Sequence, residues 1–384
     1  MMLGSNRSCA IVVVAEQEEM STAFDNVEGG GFNTKDNTIY KEDVEEDSKV
    51  IKSSPKVIKW GLLLLSCLFT SFGWIGGPLL LRLYFLHGGN GKWLSSGLMT
   101  AGFPMLFIPL AVLYLRRDRS IPAIDFFASR ELLFYASLIG LTHGVVNFMY
   151  SYGLSFLPVS TSSLLFTIQL VSTAFVSFFW VKQKFTPYSI NAIVVIIMGC
   201  ILLGVRGVSD HPPGVTNSQY MQGFFISIAA ASGVGFILVS TQVAYAKANQ
   251  VMTYATVLQF QISYSLFATV SCTVGGLISN DFLAIPKEAS EYDLGAKNYY
   301  LVMVVWQIMY IGRAGVIYCT SSLFAGVVGA TILPFTQIAA VITYHESFTA
   351  VKGMALALTL WGFTSYFYGS YMKKSKSRIS SVIP

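Results

Sequence analysis

No aspartate or glutamate falls in the interior of any long apolar run of this 384-residue chain. Of its 20 acidic residues, 11 precede residue 57, and the other nine sit in loops or at the ends of apolar runs. Paired-carboxylate catalysis is therefore excluded, and so is the simplest intramembrane proton carrier. Charge of either sign is scarce, at 12% of residues against about 25% in a soluble domain. The five cysteines, Cys9, Cys67, Cys200, Cys272 and Cys319, stand singly, which excludes a disulfide framework or a thiolate metal site. The four histidines, His87, His143, His211 and His345, are equally dispersed. No metal, no cofactor and no enzymatic constellation is expected. Ile11 to Ala15 is too short for a signal-peptide core, so the first spanning helix is expected to act as the insertion signal.

What is present is apolar surface, at 53% hydrophobic and 14% aromatic. Ten windows reach the roughly 20 residues needed to cross hydrocarbon: 57–84, 93–115, 131–155, 158–181, 187–206, 219–245, 253–278, 299–319, 323–344 and 351–371. The fold expected is an all-α membrane protein. With the N-terminus inside, the inner segments carry fifteen Lys and Arg and the outer segments six. Both termini are thus expected in the cytosol, and the Asn6-Arg7-Ser8 sequon unglycosylated. The net charge of +5 is mostly this topology signal, so no nucleic-acid partner is expected. Residues 1–56, acidic and poor in apolar surface, read as a disordered tail, and 373–384 as a basic cytosolic tail.

Two stretches resemble each other at an offset of 163, which lays Lys184-Phe185-Thr186 on Ser347-Phe348-Thr349 and Gly199 on Gly362. The identity is weak, and chance similarity of two apolar helices is the plainer account. Taken as a repeat, it divides the chain into 57–206 and 207–372, five windows each. An odd number inverts the second half, and transporters built that way bind substrate between the repeats near the midplane.

Polar and aromatic residues inside the windows mark a candidate cavity. The first window carries Gly73-Trp-Ile-Gly-Gly-Pro78, whose glycines suit close helix approach, whose proline frees a carbonyl, and whose Trp74 needs a polar partner. The third carries His143, Asn147, Tyr150 and Ser151 on one face, and the fourth Ser162, Phe166, Gln169 and Thr173. The eighth carries Trp306, Tyr310 and Arg313, the ninth Thr331, Pro334, Phe335 and Gln337. Amides beside aromatics suit a flat, mostly neutral heterocycle. Each residue also has a plainer reading: an amide bonded to the next helix, a packed histidine, or an arginine capping carbonyls.

Taken together, Gly73-W-I-G-G-P-L-L-L-R-L-Y-F-L-H-G-Gly89, Leu157-P-V-S-T-S-S-L-Leu165, Val181-K-Q-K-F-T-Pro187 and Leu360-W-G-F-T-S-Y-F-Y-Gly369 closely resemble the plant purine permeases, of the drug/metabolite transporter superfamily. The resemblance runs from about residue 57 to 372. It implies ten helices in a plasma-membrane protein, and uptake of adenine, cytokinin bases and caffeine-like heterocycles, coupled to protons. The chain departs from the family pattern at Val146 and Gln337, where relatives place acidic residues, and at Arg313.

The candidate substrate contacts are therefore Trp74, Asn147, Tyr150, Phe166, Gln169, Trp306, Tyr310, Phe335 and Gln337. The candidates for coupling are His143, Arg313, Glu131 and Glu346, with His143 favoured because imidazole titrates near neutral pH. The alternatives are an uncoupled facilitator, and an exchanger or exporter of another small metabolite. A phosphate-bearing substrate would need several converging cations, and only Arg313 is on hand.

Overall fold

The computed structural model describes residues 56–115, 129–180, 187–206, 214–247, 254–283, 285–286, 296–320 and 322–382. The acidic tail, the sequon and the inner-loop cations Arg116, Arg117, Arg119, Lys182 and Lys184 lie outside the described residues. Among these residues all regular structure is helical: α1 Lys56–Leu86, α2 Lys92–Thr100, a 3-10 turn Phe103–Leu106, α3 Phe107–Leu115, α4 Arg130–Phe156, α5 Val159–Leu165 and α6 Ile168–Trp180. Next come α7 Pro187–Arg206, α8 Asn217–Lys247, α9 Tyr254–Ile278, α10 Ala296–Cys319, α11 Ser322–Tyr344 and α12 Ala350–Val382.

Eight of these segments are long and apolar enough to cross a membrane: Trp60–Leu86, Lys92–Leu115, Arg130–Phe156, Val159–Trp180, Asn217–Lys247, Tyr254–Ile278, Lys297–Cys319 and Phe324–Tyr344. The windows 187–206 and 351–371 are helical too, in α7 and α12. Large apolar side chains face outward over the surface, among them Leu68, Phe72, Phe134, Phe225 and Leu277. A soluble protein could not expose so much, and a bilayer accounts for it.

α1 packs chiefly on α10, α4 lies between α8 and α9, and α12 lies along α7. The α1 glycines account for the first contact. A Cβ at Gly73 would run into Met309, one at Gly76 would come within 3.3 Å of Val305, and one at Gly77 within 2.8 Å of the Trp306 indole. On the α7–α12 seam, a Cβ at Gly199 would lie 3.5 Å from the Ala355 carbonyl, and one at Gly362 3.2 Å from the Ala192 carbonyl.

Pro78 has no N–H, so the carbonyl four residues before it, that of Trp74, loses its helical partner. The buried Thr336 of α11 replaces that partner, its hydroxyl donating to Trp74 O at 3.2 Å. Thr336→Val keeps the shape and strands the carbonyl. Thermal unfolding of the purified protein should show it destabilised by about 1–3 kcal/mol, with Thr336→Ser close to the parent; an unchanged melt for Thr336→Val would refute the role.

The corner between α4 and α5 is held by the buried Arg82 and the half-buried Glu346. Leu157 precedes Pro158 and is extended, which ends α4. Arg82 of α1 donates to the terminal carbonyls of Leu154 at 3.0 Å and Ser155 at 3.2 Å. Glu346, after α11, accepts from the first amides of α5, Val159 at 2.8 Å and Ser160 at 2.9 Å. Each charge meets the helix end whose dipole favours it. The fourth span then breaks again at Phe166–Thr167, where tight 3-10-type bonds replace the helical ladder.

Candidate functional site

α1, α4, α8, α10 and the break between α5 and α6 line a cavity with about 320 Å³ of empty space, its open mouth included. Its walls are Trp74, His143, Val146, Asn147, Tyr150, Phe166, Val234, Trp306, Met309, Tyr310 and Arg313. α4 supplies four of them because it is unbroken from Arg130 to Phe156, so positions 143, 147 and 150 stay on one stripe. Trp74 points in because Gly73, Gly76 and Gly77 give the neighbouring face of α1 to α10. A second cavity of about 230 Å³ shares Trp74, Tyr150 and Phe166 and continues past Pro78, Val159, Ser162, Ser163, Leu333 and Thr336.

The three shared rings meet edge to face. Tyr150 and Phe166 have centroids 4.7 Å apart, and Trp74 and Phe166 6.1 Å apart. Trp306 stands edge-on to Tyr150 at 5.9 Å. Such contacts fix ring planes and leave faces available to a flat ligand. At the other end, His143 stacks on Tyr264 at 4.9 Å and meets Tyr310 edge-on at 5.6 Å. Arg313 donates to the Tyr264 hydroxyl at 3.4 Å and lies 5.1 Å over the Tyr310 ring.

Among the described residues, three buried polar atoms in the lining have no protein partner: His143 Nδ1, Asn147 Nδ2 and Trp306 Nε1. Buried polar atoms are nearly always satisfied, and leaving one unpaired costs roughly 1–3 kcal/mol. Three in one cavity can serve a ligand.

The candidates named from sequence divide by position. Trp74, His143, Asn147, Tyr150, Phe166, Trp306, Tyr310 and Arg313 come together in the first cavity. Gln169 is buried but lines neither cavity, and its backbone carbonyl faces Gly235 of α8. Gln337 is fully buried, with both amide atoms unpartnered, and lines neither cavity. Phe335 is 61% exposed on the outer face of α11. It stands about 200° around the helix from position 337, so the two cannot share a wall. Glu131 is exposed in the first turn of α4, and Glu346 caps α5. Val234 and Met309 were not singled out, since nothing in an apolar residue's type separates a cavity wall from packed core.

A family profile for purine nucleobase transmembrane transport matches residues 61–376. Purine permease 3 of Arabidopsis thaliana is 45% identical over 316 residues, spanning 80% of this chain and 90% of that protein. Purine permease 2 of the same plant is 41% identical over 340 residues, spanning 84% and 95%. Purine permease 21 is 32% identical over 358 residues, spanning 89% and 90%.

Proposed function

The chain belongs to the purine nucleobase transmembrane transport family, and from that premise we propose that it imports purine bases and related heterocycles, adenine and cytokinin bases among them, through the cavity walled by Trp74, Asn147, Tyr150, Phe166, Trp306 and Tyr310. It is a multi-pass membrane transporter of purines, not an enzyme. The observation that carries the site is the pairing of unpartnered buried donors with free aromatic faces around one space. Asn147 and Trp306 would bond the ring edge while the rings stack on its faces. Gln169 and Gln337, which line neither cavity, would act by supporting these walls.

In a cell lacking its own base uptake, labelled adenine accumulation should be inhibited by cytokinin bases and weakly by phosphorylated analogues. One guanidinium cannot match several phosphate oxygens. Strong inhibition by the phosphorylated compounds would instead favour an exchanger of phosphate-bearing metabolites.

We place the protein in the plasma membrane with both termini cytosolic, and read 57–206 and 207–372 as inverted five-helix repeats. The α7–α12 seam supports this. Gly199 lies against Ala355 and Gly362 against Ala192, and the same offset of 163 relates both members of each pair. A two-fold axis across the helices produces that reciprocal pattern, as in an isologous dimer contact. An axis along them would bring equivalent residues together.

Coupling to protons would fall to His143, one turn from Asn147 and without a partner for Nδ1. Proteoliposomes with an imposed pH difference would accumulate adenine against its gradient with the parent and lose that with His143→Gln. Accumulation that persists in the variant removes His143 from the role, and no accumulation in the parent makes the protein a facilitator.

A further inference from the structure

Arg313 is 8% exposed and lines the cavity. Among the described residues its polar contacts are the Tyr264 hydroxyl and the face of the Tyr310 ring, with no carboxylate. None of the apolar windows holds an acidic residue that could reach it. A guanidinium keeps its charge in protein interiors and carries five N–H donors, so burial without a counter-ion leaves a large desolvation cost unrepaid. The titratable groups around it are His143 of α4, Tyr245 of α8, Tyr264 of α9 and Tyr310 of its own helix. None supplies a fixed negative charge.

Two other unpaired side-chain nitrogens of the lining, Asn147 Nδ2 and Trp306 Nε1, are donors. Both belong to side chains at least nine-tenths buried. The site thus offers free donors beside a positive charge, the complement of a flat ring with acceptors along its edge and negative charge spread among them.

We propose that the cavity binds weakly acidic oxo-heterocycles as their anions, with Arg313 as counter-ion and Asn147 Nδ2 and Trp306 Nε1 donating to acceptors on the same ring. The ligand class is the cyclic imides and oxopurines, which lose a ring N–H and delocalise the charge over nitrogen and oxo oxygen. This rests on the base-transport reading and adds a ligand class to it: an oxo group or a deprotonated ring nitrogen accepts from these donors while its charge faces the guanidinium.

Two measurements separate the claims. Labelled uric acid should bind the purified full-length protein at least about tenfold more tightly than its fully N-methylated counterpart, which keeps the oxo groups but has no ring N–H to lose. Arg313→Gln should bring the two ligands within about twofold, and Arg313→Lys, which keeps the charge without the planar fork, should retain part of the preference. Equal affinity for the two ligands in the parent overturns the inference even if neither variant folds, as does an unchanged ratio in Arg313→Gln. Uptake of labelled adenine by the parent is scored independently: its absence alongside charge-selective uric acid binding would sink adenine import and leave the anion site standing, while adenine uptake without uric acid binding would do the reverse.

Discussion

Gly73→Val should leave little folded protein in the membrane, while Gly61→Val on the same helix should be tolerated. A Cβ at position 73 meets the Cβ of Met309 and comes within 2.8 Å of its Cα, so the obstacle is the backbone of α10, which no side-chain rotation relieves. A Cβ at Gly61 meets nothing within 4 Å. Helix preference opposes neither change, because valine is a better helix former than glycine. The difference is packing alone. Forcing branched carbon into a closed seam costs about 3 kcal/mol or more when the helices must separate. The α1–α10 contact also positions Trp74 and Trp306, so any surviving protein should transport poorly. Size-exclusion profiles and melting temperatures of the two variants, purified in parallel, check this. Matching yield and melting for the pair would mean that α1 and α10 are not closely packed.

Asn147→Ala should raise the adenine KM by roughly five- to a hundredfold at unchanged surface expression, the equivalent of losing about 1–3 kcal/mol. Asn147 is 5% exposed, its Nδ2 has no protein partner, and the side chain also bonds Tyr310. Alanine removes the donor in a place where water cannot easily replace it, and releases the Tyr310 hydroxyl from its orienting bond. Asn147→Asp alters the charge beside Arg313 and is a poor control; Asn147→Gln, which keeps the amide one methylene further out, tests position instead. An unchanged KM for the alanine variant would remove Asn147 from substrate contact.

The spans and the α4 stripe could be read directly from the residues. Eight of the ten apolar windows coincide with helices long and apolar enough to cross a membrane, because length and hydropathy are summed over many side chains and tolerate local error. His143, Asn147 and Tyr150 reach one cavity because α4 has no internal break, so helical arithmetic holds over its whole length. The same arithmetic fails in the fourth window. Phe166 and Gln169, three apart, would share a face on a continuous helix, but the chain breaks at Phe166–Thr167 without proline or glycine to announce it. Phe166 stays in the cavity and Gln169 turns aside. In α11 the error was one of phase: residues 335 and 337 point in nearly opposite directions, and which points inward depends on packing, not on residue type. Arg82 shows a third kind of loss. One of the six Lys and Arg counted for the outer segments, it is 7% exposed inside α1 and caps α4, because a charge near a window's end reads the same whether it faces water or a carbonyl.

The placing of the tryptophans gives the molecule an optical reporter of its own. Of the six, Trp60, Trp180 and Trp361 are 39%, 50% and 64% exposed, and Trp93 is stacked on Phe148 away from the cavity. Only Trp74 and Trp306, at 5% and 4%, are both buried and in the cavity wall. An arriving ring therefore alters the surroundings of these two indoles directly, while the other four emit a nearly constant background. The change in intrinsic fluorescence on adding a ligand reads occupancy without any label. Trp74→Phe and Trp306→Phe, compared in turn, divide that signal between the two walls.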